Sequence, residues 1–244
     1  MLSEGDNGRF NMTRISSDPG LTGAGRSFLF LQGPHGPWFD HLGRLLRATG
    51  AQVWRVGFNR GDQAFWRDKA SFLPFRGPQA DWPEVCARFF DEKSITDIVL
   101  YGDTRPIHAQ AVALAKARGI TVHVFEEGYL RPHWVTYERG GSNGNSRLMG
   151  LSLPQMQAAL ANLDMDLPDA PARWGDMRQH IFYGALYHGF VMLGRRAFPG
   201  FRPHRALTVT QEFQLYLKRL AALPVHALDR MLATWRIRHG GFPY

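Results

Sequence analysis

Glu126 and Glu127 stand side by side behind the strand-like run ITVHVF (120–125), with Gly128 and Arg131 just beyond them. Adjacent carboxylates at the end of a buried strand are costly unless they are solvated, paired or used. A pair of this kind suits glycosyl chemistry, in which one carboxylate acts as nucleophile or base while the other orients it or a substrate hydroxyl. Gly128 permits a sharp turn, and Arg131 can hold a carboxylate or a substrate anion. The alternative is a salt-bridged loop, Glu126 or Glu127 with Arg131 or Arg105.

Two further loops carry unusual residues. Gln32-Gly33-Pro34-His35-Gly36-Pro37 holds two glycines and two prolines ahead of a helical stretch. Such a turn can present backbone N–H groups to an anion, or can simply be a rigid strand-to-helix connection. In Gly102-Asp103-Thr104-Arg105-Pro106, Asp103 or Thr104 can cap the helix that follows. Arg105 at a helix start opposes the macrodipole, so an anionic ligand or a carboxylate is expected near it. His35, His108, His123 and His133 could meet near these loops, although His123 lies inside a strand and reads as a packed residue. No His-Glu-x-x-His, Gly-x-Ser-x-Gly or P-loop pattern is present, so no metal site, hydrolase elbow or nucleotide P-loop is expected.

These loops need a frame. SFLFLQ (27–32), AQVWRVGF (51–58), TDIVLYG (96–102) and ITVHVFE (120–126) read as buried strands. Between them, Trp38–Thr49, 82–93 and Pro106–Arg118 have helical periods, the second with Asp81 available as N-cap. The alternation predicts an α/β fold with a parallel, Rossmann-like sheet, whose ligands sit at the carboxyl ends of the strands. WVTYERG (134–140) adds a further strand before the loop GGSNGNS (140–146). Residues 1–25 read as a disordered leader, 26–163 as the α/β domain, 164–172 as a linker, and 173–244 as a basic helical segment with helices near 174–197 and 208–237.

The net charge of +8 is confined to that last segment. Residues 1–170 carry 18 basic and 18 acidic side chains, whereas 171–244 carry 11 and 3. An anionic partner is therefore expected there. Arg195, Arg196, Arg202 and Arg205 are the candidates for contact with lipid headgroups. No nucleic-acid-reading motif accompanies them, so nucleic acid is not the expected partner. One cysteine, Cys86, excludes an internal disulfide framework. No secretory signal and no long apolar stretch is present, so the expected location is the cytoplasm.

FLQGPHGPWF (30–39), GFNRGD (57–62), YGDTRPIH (101–108) and FEEGYLRPHWVTYERGGSNGNS (125–146), in this order and spacing, resemble the capsule polysaccharide biosynthesis and export family, in particular its KpsS-like members. The resemblance implies a GT-B-type glycosyltransferase that transfers β-Kdo from CMP-β-Kdo to lysophosphatidylglycerol, starting the lipid primer of a capsule. It implies no cofactor beyond that donor substrate. Its partners would be an anionic phospholipid acceptor, the inner-membrane surface and capsule assembly or export proteins. Related Kdo-extending enzymes carry Glu-Asp-Gly where this chain has Glu126-Glu127-Gly128, which places Glu127 at the nucleophile position with Glu126 beside it. The substrate-binding set implied on the matched loops is Gln32, Gly33, Pro34, His35, Gly36, Asp103, Arg105, Arg131 and Asn143. The family also has a second α/β domain with a His-Pro motif for the CMP phosphate. This sequence contains no His-Pro dipeptide and is expected to correspond to the N-terminal portion of such an enzyme, truncated or split. A non-catalytic adaptor at the membrane surface is the alternative.

Overall fold

A computed structural model describes residues 22–128, 135–161, 177–202 and 209–240. The chain divides into two compact units, one up to Arg202 and the other from Pro203 onward. The dividing point falls inside the segment that the sequence groups as 173–244.

The first unit is built on a six-stranded sheet. Its strands are β1 (Ser27–Phe30), β2 (Gln52–Gly57), β3 (Phe72–Pro74), β4 (Asp97–Tyr101), β5 (Thr121–Glu127) and β6 (Val135–Arg139). They lie in the order β3-β2-β1-β4-β5-β6. The pairs from β3 through β5 are parallel, as the alternation of strands and helices predicts. β6 runs antiparallel to β5, with Glu126 opposite Thr136 and Glu127 opposite Val135. The short strand β3 escapes a periodicity reading because three residues are too few to show alternation.

Helices α1 (Trp38–Ala48), α2 (Arg60–Ala64), α3 (Trp82–Glu92), α4 (Pro106–Ala117), α5 (Leu153–Leu160) and α6 (Met177–Leu193) complete this unit. β1 is buried along its whole length, which is why it reads as a continuous apolar run. Its side chains alternate between two layers. Leu29 and Leu31 join Val56, Trp82, Cys86, Ile98, Leu100 and Val124 on one side. Phe28 and Phe30 join Phe39, Val53, Trp66 and Val99 on the other. Trp82 also donates from Nε1 to the Ile107 carbonyl at 2.7 Å, tying α3 to the start of α4. Asp81 precedes α3, but its side chain makes no cap; Pro83 near the helix start removes one of the N–H groups that would need one.

At the opposite end of the sheet from the candidate loops, Asp97 is almost fully buried and receives Arg26 at 2.5 Å and His123 Nε2 at 2.8 Å. His123 Nδ1 meets the Tyr137 hydroxyl at 2.8 Å. His123 is thus a packed strand residue, as expected, and ties β4, β5 and β6 together.

The second unit, within the described residues, is the single helix α7 (Val209–Gly240), 32 residues long with Pro224 inside it. Among the described residues, no helix is long and apolar enough to cross a membrane.

Candidate functional site

β1, β2 and β3 step away to one side and β4 lies on the other, so the strand order reverses between β1 and β4. Such a reversal opens a crevice at the carboxyl ends of the two strands. The loops flanking that crevice are 32–37 after β1 and 102–105 after β4. They touch directly: Arg105 donates to Gln32 Oε1 at 2.8 Å. The partner found for Arg105 is thus a buried amide, while Asp62 also lies within electrostatic reach.

Gln32 is held from its other side. Its Nε2 donates to the Tyr187 hydroxyl of α6 at 3.0 Å. The same hydroxyl accepts Asn59 Nδ2 at 2.7 Å and donates to Asp62 Oδ1 at 3.1 Å. Asp62 Oδ2 accepts the Phe58 backbone N–H at 3.0 Å, and Arg55 approaches Oδ1 at 3.4 Å. All of these polar groups are buried. Burial pushes the Asp62 carboxyl above the usual carboxylate range, opposed by the attraction of Arg55 and by the Phe58 and Tyr187 hydrogen bonds. Burial likewise pushes the Tyr187 phenol up and the Arg55 guanidinium down.

Gly61 makes this packing possible, since a Cβ there would sit 2.6 Å from the Tyr187 ring. Asn59, Asp62 and Tyr187 were not among the residues expected from the sequence. The available signal was Asn-Arg-Gly-Asp directly after β2, where Asn59 caps α2 by accepting from Asp62 N. Nothing in the sequence links that motif to a tyrosine 125 positions beyond Asp62.

The loop after β1 turns under α6. His35 stacks on Tyr187 with ring centroids 4.5 Å apart and meets His188 edge-on at 4.9 Å. Gly33 packs so tightly on Phe39 that a Cβ would lie 2.4 Å from the ring. Gly36 adopts φ +101°, a left-handed conformation that glycine reaches without strain. Pro34 lies between them. The two glycines therefore answer real steric demands.

Asp103 does not cap α4. The residue at the N-cap is Arg105, and no side-chain cap bond forms there. Asp103 turns instead to the loop after β6. Its Oδ2 accepts Ser142 N at 3.0 Å and Asn145 Nδ2 at 3.1 Å. Two donors, one of them a backbone amide, outcompete the cap. Asp103 Oδ1 is buried with no hydrogen-bond partner. His108, also buried, meets the Gly102 carbonyl through Nδ1 at 2.5 Å and braces the same loop from below.

Glu126 is fixed by that loop too. Ser142 Oγ donates to its Oε1 at 3.0 Å and Asn143 Nδ2 to its Oε2 at 2.6 Å. Asn143 sits at φ +49°, which Asn tolerates better than most residues. No arginine pairs with Glu126 among the described contacts; hydroxyl and amide donors take that place. Glu126 and Glu127 both lie within β5, so they project from opposite faces of the sheet. Glu126 continues the side of Val122 and Val124, and Glu127 that of His123 and Phe125. Glu127 is exposed.

Arg131, His133 and Arg205 fall outside the described residues. Arg195, Arg196 and Arg202 are exposed near the end of the first unit. The three described histidines of that set do not converge: His123 is at the Asp97 end of the sheet, His108 lies under the β4 loop, and His35 is against α6. Among the described residues, no group of three or more His, Cys, Asp or Glu is placed to hold a metal ion. A cleft of about 340 Å³ beside β3, lined by Leu73, Phe75, Val85 and Phe89, contains none of the expected site residues.

Known proteins share this arrangement of sequence. The family described as capsule polysaccharide biosynthesis protein matches residues 96–234. The capsule polysaccharide export protein KpsS of Escherichia coli is 31% identical over 196 residues, covering 80% of this chain and 49% of KpsS. The capsule polysaccharide modification protein LipB of Neisseria meningitidis serogroup A is 35% identical over 129 residues, covering 52% of this chain and 31% of LipB. The chain spans about half the length of KpsS and a smaller share of LipB. A mostly parallel α/β sheet, carboxylate-bearing loops at its strand ends and a match over more than half the chain lead to one assignment: the protein belongs to the capsule polysaccharide biosynthesis family.

Proposed function

We propose that this chain is the acceptor-side part of a GT-B-type β-Kdo transferase that starts the capsule lipid primer, moving β-Kdo from CMP-β-Kdo to lysophosphatidylglycerol. The observation that carries the reading is Glu127, exposed at the carboxyl end of β5, next in sequence to Glu126, which Ser142 and Asn143 hold on the other face. A carboxylate with both oxygens engaged is suited to holding its loop, and a solvent-exposed one at a strand's carboxyl end can meet a substrate. In this reading Glu127 attacks the anomeric carbon of Kdo, and the bond to the phosphate oxygen breaks as CMP leaves with the electron pair. The acceptor hydroxyl oxygen then displaces the carboxylate and gives up its proton to a base. Two displacements keep the anomeric configuration.

Gln32, Gly33, Pro34, His35, Gly36, Asp103, Arg105, Arg131 and Asn143 would line the substrate cleft, with no cofactor beyond the donor. The basic residues Arg195, Arg196, Arg202 and Arg205 would face anionic headgroups at the cytoplasmic side of the inner membrane. The test is to incubate the chain, alone and together with any downstream-encoded fragment, with CMP-Kdo and a lysophosphatidylglycerol analogue. Product formation that is lost in Glu127→Gln is expected; no product from the combination overturns the enzymatic reading. The exposed Arg195, Arg196 and Arg202 favour a second reading, a non-catalytic membrane-surface adaptor in capsule assembly or export. In that case the chain binds its membrane or protein partners with wild-type affinity in the Glu127→Gln variant.

A further inference from the structure

Helix α7 carries an apolar stripe that nothing in its own unit covers. Phe213, Leu217, Leu220, Pro224, Leu228, Met231 and Trp235 recur at steps of four and three residues, close to the 3.6-residue turn, and so lie along one face. They are open to solvent, from 47% for Phe213 to 69% for Met231 among the large side chains. Lys218, Arg219, Arg230 and Arg236 fall on the flanks and back of that stripe, together with His226 and Asp229, while Arg238 lies on the stripe's own side at the helix end. The polar side is not pure, since Leu215 and Ile237 interrupt it.

We infer that α7 is an interfacial helix that lies in the plane of an anionic bilayer, its stripe sunk among the acyl chains and its cations at the headgroups. Three observations select this occupant. The helix has five Lys and Arg against two acidic residues, so it attracts an anionic surface and repels a second copy of itself. Trp235 and Tyr216 are half exposed on a helix that is too polar to span a bilayer. Amphipathic aromatics of this kind settle at the water–lipid boundary. The helix is also long: 32 residues at 1.5 Å each give about 48 Å of contact line along the surface. This adds to the exposed arginines near Arg195 a helix that contributes apolar burial as well as charge. The inference rests on the membrane location in the proposed function but not on glycosyl transfer.

The test uses the full chain and vesicles of phosphatidylcholine, pure or with about a third phosphatidylglycerol. Co-sedimentation with the anionic vesicles is expected, weakening as salt rises. The double variant Leu220→Asp/Met231→Asp should bind about tenfold less or weaker still, because it places charge in the apolar stripe. Both positions are exposed, so the circular dichroism of the chain should be retained. Arg195→Gln/Arg196→Gln should weaken binding less than the stripe variant does. Absence of binding to anionic vesicles overturns the inference. So does binding that follows Arg195 and Arg196 instead of the stripe, or light scattering in which the double variant merely converts a dimer to a monomer. None of these readouts involves CMP-Kdo, so failure of attachment and failure of catalysis are told apart.

Discussion

Arg105 reaches from the loop after β4 to the loop after β1 and donates to Gln32 Oε1 at 2.8 Å, closing the seam where the strand order reverses. Gln32 is in turn held by Tyr187 of α6, so one buried amide couples the two loops to the helix above them. A charged donor on a buried neutral acceptor is worth about 1.5–3 kcal/mol. Arg105→Ala should therefore lower the unfolding free energy by about that amount and loosen the loop pair, with kcat/KM of the active assembly falling as a consequence. Denaturant titration reads the first effect and steady-state kinetics at fixed donor concentration the second, and Arg105→Lys should recover only part, since lysine lacks the planar fork.

Tyr187→Phe removes one hydroxyl that serves Gln32, Asn59 and Asp62 at once. Buried donors and an acceptor are left unsatisfied while the ring contact with His35 persists. A loss of about 1–3 kcal/mol in unfolding free energy is expected from denaturant titration. A loss below a few tenths would mean that water replaces the hydroxyl.

Glu126→Gln and Glu127→Gln should differ in kind. In Glu126→Gln one oxygen becomes an NH2 facing either Ser142 or Asn143, so one of two donors loses its acceptor. Loosening of the 140–146 loop, seen as faster proteolysis or amide exchange there, should accompany any loss of activity. Glu127→Gln should leave that loop protected and remove turnover in an active assembly.

Acid should destabilise the first unit through Asp97. Burial by itself would raise this carboxyl, but His123, Arg26 and Thr96 hydrogen bonds more than offset it and hold the carboxyl well below the usual range. A carboxylate depressed in the folded state contributes stability above its unfolded pKa of about 3.9, and that contribution is lost as pH falls below this value. Thermal melts from neutral pH down to about pH 3 should show the wild type losing more stability than Asp97→Asn, which has nothing there to protonate.

Cys86 of α3 is fully buried in the core, and burial pushes its thiol up to about 12. It should be inert to a thiol-specific reagent at neutral pH in the folded chain and react in denaturant. Rapid labelling without denaturant would show that α3 opens locally.

The α/β class, five of the six strands and the three site loops were legible in the sequence because each depends on local pattern. Buried parallel strands are apolar on both faces, as SFLF is at 27–30, and glycines mark the turns at 33, 36 and 102. The positive charge beyond residue 170 was equally plain from composition. Three features needed the tertiary structure. Asp103 looked like a helix cap, yet Ser142 and Asn145, about forty residues away, claim its carboxylate. Glu126 and Glu127 looked like one acidic pair, yet β5 persists through both and turns them to opposite faces. The basic segment read as one helical region, yet α6 gives Tyr187 to the buried network of the first unit, while α7 belongs to the second unit and has its stripe exposed. Local propensity sets where strands, turns and helices begin. Which donor reaches which buried carboxylate depends on chain segments that meet only after folding, and the desolvation cost of leaving such a group unpaired is what selects the partner.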